Sequence, residues 1–361
     1  MRKVCLIRLM PLLLVTLYSS IIAAQVTTPR EPSPAASVTQ TVGISTVTVN
    51  YSRPSVKGRE IWGKLVPYGW NVQPFGAGNS APWRAGANEN TTIRFSHDAR
   101  VEGQSVPAGT YGLFFVINSD NTGEVVLSKS YQSWGSFFYD EKQDLMRAKI
   151  QLRDIPFTEM LTYDFMNNTK TSSELVLNWE KKQFPVKIEF AVDDIVIANA
   201  AEELKGAKGF NWQGPWSAAN YALQNKTSYD QALKWSDQAI AANGNFLTRS
   251  TKANILTAMG KRDDADKIMN DAIANSTEVE LNNYGYQLLT NKDYDKAIEM
   301  FTLNTKRFPK SANCFDSLGE GYATMGDNKN AIANFKKSLS MNPPPNVKAN
   351  SEKFLKQLGA L

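Results

Sequence analysis

Two periods divide the chain. In residues 46–51, Val47, Val49 and Tyr51 face one way and Thr46, Thr48 and Asn50 the other. That alternation is the signature of a half-buried strand. Similar runs occupy residues 92–96, 110–118, 124–128, 148–153, 161–165, 174–180 and 185–190, separated by turn clusters such as Pro107-Ala108-Gly109. This many short strands, with hardly a helical period among them, predict an all-β antiparallel sandwich or barrel over residues 37–191. Residues 52–90 interrupt the rhythm with Gly, Pro and aromatics, among them Trp62, Tyr68, Trp70, Phe75 and Trp83. A loop of this length in a compact domain is functional or folded on itself.

Beyond Phe190 the spacing becomes helical. Gly285 and Gly319 are 34 apart, and so are Ala297 and Ala331, Phe301 and Phe335, Pro309 and Pro343. Four matched pairs in one register predict an all-α helix–turn–helix solenoid. The small residue lets two helices approach, the aromatic fills the space between them, and the proline ends the second helix. Ala232 and Ala265 extend the alanine series at spacings of 33 and 32, so two degenerate units precede the clear ones. A short helix is expected at 193–204, capped by Asp193 or Asp194, within a linker at 192–209. The repeats then fill 210–361, and an amphipathic helix at 347–358 covers the open end of the stack. The pattern resembles tetratricopeptide-type repeats, which implies a surface for binding other polypeptides.

The first 24 residues read as a secretory signal peptide: Arg2, Lys3 and Arg8, an apolar core from 9 to 17, and an Ala23-Ala24 exit. Cleavage after Ala24 leaves 37 basic against 35 acidic residues, so the basicity belongs largely to the export signal and no nucleic-acid reading survives. A flexible tail at 25–36 follows. Cys314 is the single cysteine left after cleavage, which excludes an intramolecular disulfide, and a small buried thiol in a repeat helix is its expected role. No later run is apolar and long enough to span a bilayer. The mature chain is expected to be exported, periplasmic or extracellular.

Gln40-Thr-Val-Gly43, Tyr51-Ser-Arg-Pro54, Lys57-Gly-Arg59, Leu65-Val-Pro-Tyr-Gly69, Trp83-Arg84-x-Gly-Ala-Asn-Glu89 and Pro107-Ala-Gly-Thr-Tyr111 form an ordered series of motifs. Together they resemble an uncharacterised family of exported bacterial proteins, domain of unknown function twenty-nine-eleven, over about residues 33–190. The resemblance implies export and a mostly β domain, and carries no activity over. The chain departs from that family's pattern between Gly69 and Trp83, where thirteen residues stand in place of a few.

Arg53, Lys57, Arg59, Glu60, Arg84, Asn88 and Glu89 lie in or beside the long loop. Together with Tyr68 and Trp83, these groups could grip a carboxylate, a sugar or a peptide end, with Arg53, Tyr68, Trp83, Arg84, Asn88 and Glu89 as the ligand-binding set. The same groups could instead form a hydrogen-bonded network that fixes an irregular loop. His97 is the only histidine, so His/Cys zinc sites are excluded, and neither a nucleophile elbow nor a phosphate loop occurs; no cofactor or metal is expected. In the repeats, Asn282, Tyr286, Asn313, Asp316 and Glu320 fall on inner positions of the first helices and form the expected partner groove. Neutral and acidic residues there disfavour a carboxylate clamp. The sequence therefore points to a non-catalytic binding or scaffold protein of the cell envelope, with an unidentified protein partner on the array. The alternative is an envelope enzyme, or a small-ligand or glycan-binding domain, using Arg84, Asn88 and Glu89, with Glu89 as acid or base.

Overall fold

The computed structural model describes residues 32–361. The signal peptide and residues 25–31 of the expected tail lie outside the described residues. Two compact units divide the chain: residues 46–189 with the chain up to Thr41, and residues 190–361 with the short turn Val42–Ser45.

The first unit is antiparallel throughout. Strands β1 (Ala35–Val42), β2 (Ser45–Ser52), β3 (Asn71–Val72), β4 (Ser80–Ala81), β5 (Thr92–Phe95), β6 (Ala99–Val101), β7 (Gln104–Val106), β8 (Gly109–Ile117), β9 (Thr122–Ser128), β10 (Asp144–Gln151), β11 (Arg153–Met166) and β12 (Ser172–Glu189) follow in order. Six of them form a sheet in the order β1-β2-β5-β8-β9-β10, and four form a second, β11-β12-β6-β7. The sheets stay open rather than closing into a barrel, and their inner faces meet as a sandwich. Tyr51 of β2 packs edge-on against Tyr163 of β11 at 4.7 Å, and Phe115 of β8 meets Phe184 of β12 at 5.2 Å.

Three details differ from the sequence reading, and a fourth matches one of its alternatives. The expected tail at 25–36 overlaps β1, which begins at Ala35; its Thr- and Ser-rich alternation buries little because it is an edge strand. The β6–β7 hairpin has only three residues per strand, and Glu102 and Gly103 turn it with φ of 48° and 79°. The two runs expected at 174–180 and 185–190 are one strand of 18 residues, bent where Glu180 takes φ 54° and the register to β11 shifts. Residues 52–90 are folded on themselves: Val56, Ile61, Val66 and Ala85 are buried, and Trp83 exchanges backbone hydrogen bonds with Phe115 at 2.8 and 2.9 Å.

The second unit is helical: α1 (Val192–Glu203), α2 (Gln213–Gln224), α3 (Tyr229–Ala242), α4 (Phe246–Ala258), α5 (Arg262–Ala274), α6 (Glu278–Thr290), α7 (Tyr294–Arg307), α8 (Ala312–Met325), α9 (Asn328–Leu339) and α10 (Pro345–Gln357). Ala191, not an aspartate, is the N-cap of α1; Asp193 and Asp194 sit in its first turn, where they oppose the positive end of the helix. Ile197, Ala200 and Ala201 of α1 pack on the core of the first helix pair, so this segment is part of the stack rather than a bare linker. Helices α2 to α9 form four pairs, and the aligned alanines Ala232, Ala265, Ala297 and Ala331 are all buried. The 34-residue register has a direct cause. A Cβ on Gly285 would lie 2.5 Å from the ring of Phe301, and one on Gly319 would lie 2.8 Å from that of Phe335. Each phenylalanine occupies the space that its glycine leaves empty.

Gly319→Leu is therefore expected to force these helices apart at a cost of about 1–3 kcal/mol, seen as a lower melting temperature of the full chain, with Gly319→Ala milder. An unchanged melt for Gly319→Leu would refute the packing account.

Candidate functional site

A cavity of about 710 Å³ opens in the β unit, walled by the loop at 52–90 and floored by strands β8 and β12. Of the loop residues expected to bind a ligand, Trp83, Arg84 and Asn88 line it. Arg53 does not: its guanidinium donates to Leu161 O at 3.0 Å and to Thr162 Oγ1 at 2.6 Å, tying the loop to β11. Tyr68 is displaced too, covering Gly63, where a Cβ would lie 2.7 Å from its ring. Glu89 is exposed and borders a separate depression with Ala35, Asn50 and Asn90. Glu89, the expected acid or base, therefore does not line the cavity that Arg84 lines.

Trp83 is held within an aromatic cluster. It stacks on Trp179 with ring centroids 5.8 Å apart and planes 13° from parallel, and Trp62 meets both edge-on at 5.8 and 5.9 Å. Trp179 is almost fully buried, lines the cavity, and has no acceptor for its Nε1–H among the described residues. Sequence reading passed over this tryptophan because it sits in an ordinary alternating strand.

Arg84 is held from three sides. It donates from Nη1 to Asn88 O at 2.7 Å, its guanidinium carbon lies 5.0 Å from the Phe137 ring centre, and Gly135 backs it so closely that a Cβ there would approach to 2.4 Å. The turn that places it is strained, with Ala85 and Asn88 at φ 50° and 63°. Thr91 Oγ1 and Tyr163 OH fix that turn by donating to Ala85 O at 3.1 and 3.0 Å. Burial lowers the Arg84 pKa, and no carboxylate opposes the effect.

The insertion between Gly69 and Trp83 forms the small β3–β4 hairpin and supplies Asn71, Val72 and Gln73 to the cavity wall. A second loop anchors it. Ala77 N donates to Phe137 O at 2.8 Å, Asn79 Nδ2 donates to Tyr139 O at 3.1 Å, and Trp70 packs on Tyr139 and beneath Arg147.

In the array, three of the expected groove residues are already engaged. Asn350 Nδ2 of α10 donates to Asp316 Oδ2 at 2.8 Å and to Glu320 Oε1, and Ser351 Oγ donates to Asp316 Oδ1. Tyr286 donates to Ser317 Oγ at 3.1 Å and packs edge-on against Phe301. Asn282 and Asn313 are half-buried, and Asn282 Oδ1 has no donor among the described residues. The expectation that Asp316 and Glu320 stand free for a partner fails because the last helix uses them as its seat. Cys314 is buried, and burial pushes its thiol up to about 12, which removes it from thiolate chemistry.

Residues 33–188 match the family described as "Protein of unknown function (DUF2911)", and residues 313–345 match that of a tetratricopeptide repeat. The chain carries a DUF2911 domain followed by tetratricopeptide repeats. The cavity lies within the DUF2911 domain. No curated protein matches the chain. Solved structures similar to it include that of pilF from Pseudomonas aeruginosa, at 21% identity over 42% of this chain and 71% of that one, with a TM-score of 0.27. Another is YrrB, described as a TPR protein with an unusual peptide-binding site, at 17% identity over 45% of this chain and 84% of that one, TM-score 0.28. MamA from Desulfovibrio magneticus RS-1 is 15% identical over 43% of this chain and 88% of that one, TM-score 0.27.

Burial raises the carboxyl pKa values of Asp316 and Glu320. A raised folded-state pKa means that the folded chain holds more protons than the unfolded one between the two values. The protonated form's contribution is thus complete below about pH 4 and lost as pH rises through the folded pKa. Glu320→Gln keeps an acceptor for Asn350 and removes the titration. Its melting temperature relative to wild type is expected to rise from pH 4 to pH 7, by about 1–3 °C. A difference that falls with pH over that range would refute the assignment.

Proposed function

We propose that the chain is an exported, non-catalytic binding protein of the bacterial cell envelope, whose helical array receives a partner polypeptide. The observation that supports this most is a pair of exposed apolar side chains at equivalent places. Leu247 and Val279 stand near the starts of α4 and α6, thirty-two residues apart, the same interval that separates the aligned alanines Ala265 and Ala297. Leu247 is 42% exposed and Val279 65%. Asn313 follows Val279 at the next interval of 34, near the start of α8. The register needs neither apolar side chain for stacking, and two at repeat spacing suit a segment that runs across successive first helices. With Asp316 and Glu320 taken by α10, the segment recognised is apolar and uncharged rather than basic. Export is supported by the basic, apolar and small-residue order of the first 24 residues, and predicts a mature N-terminus near Gln25 by mass spectrometry of envelope protein. Recovery of the intact N-terminus from the envelope would refute cleavage.

The surface is tested with Leu247→Asp/Val279→Asp in the full chain, compared with wild type by affinity capture from envelope extract alongside a thermal melt. Surface changes cost about 0.5 kcal/mol or less, so the melt should hold. Loss of two central apolar contacts should lower partner recovery by about tenfold or more. A folded variant that captures the same polypeptides as wild type would move the binding surface elsewhere.

A further inference from the structure

The cavity of the β unit has a one-sided chemistry that polypeptide binding by the array leaves unexplained. Among the described residues its charged lining consists of Lys57, Arg59 and Arg84, with no aspartate or glutamate. None of the three forms an ion pair with a carboxylate among the described residues. Arg59 donates only to backbone carbonyls, those of Val56 at 3.0 Å and Ser55 at 2.5 Å, and Arg84 only to Asn88 O. A guanidinium has five N–H donors, so both keep donors unspent. A half-buried arginine with one carbonyl acceptor and no counter-charge is a costly arrangement, and the loop strain and the Gly135 contact show that the fold holds it in place. Trp179, whose side chain lines the same cavity, is almost fully buried and gives the floor a rigid aromatic surface beneath Trp83. The rest of the wall is mixed: Trp83, Phe115, Pro82 and Val72 give it an apolar part, and uncharged Asn71, Gln73, Asn88 and Ser136 a polar one. The volume lies in the range of small-molecule sites, about 300–1,000 Å³.

We propose that this cavity binds a small amphipathic anion, its carboxylate or phosphate oxygens held by Arg84 and its apolar body against Trp83. Lys57 and Arg59, both exposed, stand at the rim and draw the anion in through their field. Residues of the β3–β4 hairpin form one wall, so this segment sets the shape of the apolar body.

The test uses the full mature chain and two fluorescent probes with the same apolar body, 8-anilinonaphthalene-1-sulfonate and the uncharged N-phenyl-1-naphthylamine. The sulfonate probe should bind at least tenfold more tightly than the neutral one. Arg84→Gln should weaken the sulfonate probe at least tenfold and leave the neutral probe unchanged, while Arg84→Lys recovers part of the affinity. Hexanoate and hexyl phosphate should displace the sulfonate probe, and hexanol should not. Displacement by hexanoate alone assigns a carboxylate head, and by hexyl phosphate alone a phosphate head. Should Arg84→Gln fail to fold by thermal melt, Lys57→Gln/Arg59→Gln at the exposed rim takes its place, with an expected loss of about threefold that disappears at high salt. Equal affinity for the two probes overturns the proposal. So does binding indifferent to Arg84→Gln in a folded variant, or no displacement by either anion.

Discussion

Four rings hold the β unit's irregular segment in place. Trp83 and Trp62 come from the loop, Trp179 and Phe184 from the long strand β12, and each loop ring meets the other and both strand rings within 6.0 Å in stacked, edge-on and tilted contacts. Phe115 of the other sheet joins them through Phe184. A loop of nearly forty residues carries many backbone groups that no ladder satisfies, and it orders only where buried area outweighs chain entropy. The aromatics supply that area at large gain per residue. Their contact also sets the position of everything that follows in sequence. Arg84 is the neighbour of Trp83, so the backbone hydrogen bonds between Trp83 and Phe115 fix where its guanidinium can reach. The cavity is thus a consequence of the cluster, formed where the loop bridges the sheets without filling the space beneath it.

The array depends on a different constraint, the exclusion of a side chain. Gly285 and Gly319 are helical and need no special backbone angle. They are glycines because Phe301 and Phe335 occupy the space where Cβ would be. The two residues are complementary across sixteen positions of chain, so neither can change alone, and this produces the repeat. The stack must also end somewhere. Alanine and phenylalanine positions of the last pair would stand open, and α10 covers them, with Phe354 stacked on Phe335 at 5.1 Å. Asn350 and Ser351 then satisfy the two carboxylates of α8 that the cap buries. Polar groups that look available in one repeat are, at the end of the stack, the seat of its lid.

Features that repeat or alternate over many residues were legible in the sequence. The strand at 46–51 and the register of the last two repeats were read from period, because burial imposes it. The strands at 110–118 and 124–128 lie at the centre of their sheet, buried on both faces, and stood out as short apolar runs between turns. Features decided by a few contacts were not. The β6–β7 hairpin is too short to show a pattern, and β1 alternates mostly between polar residues. The bend at Glu180 divides one strand into two apparent runs. Within the candidate site, Trp83, Arg84 and Asn88 were found because unusual residues crowd an irregular stretch. Arg53 and Glu89 came from the same crowding, which does not record direction: one bonds to β11 and the other borders a different depression. Trp179 carried no signal, since a tryptophan in an alternating strand reads as core.

Charge separates the two surfaces more sharply than shape does. Among the described residues the cavity gathers three cations without an aspartate or glutamate in its lining, which suits a ligand rich in acceptors. The array engages Asp316 and Glu320 with uncharged donors of its capping helix and leaves exposed apolar side chains at repeat spacing, which suits the proposed apolar segment. A single ligand type could not satisfy both. An unpaired buried cation rejects an apolar segment, because burying it would cost the cation its remaining water. An exposed leucine and valine, in turn, offer an anion nothing that water does not. On the two readings proposed above, the chain holds two chemically different molecules, one small and acceptor-rich, the other a polypeptide.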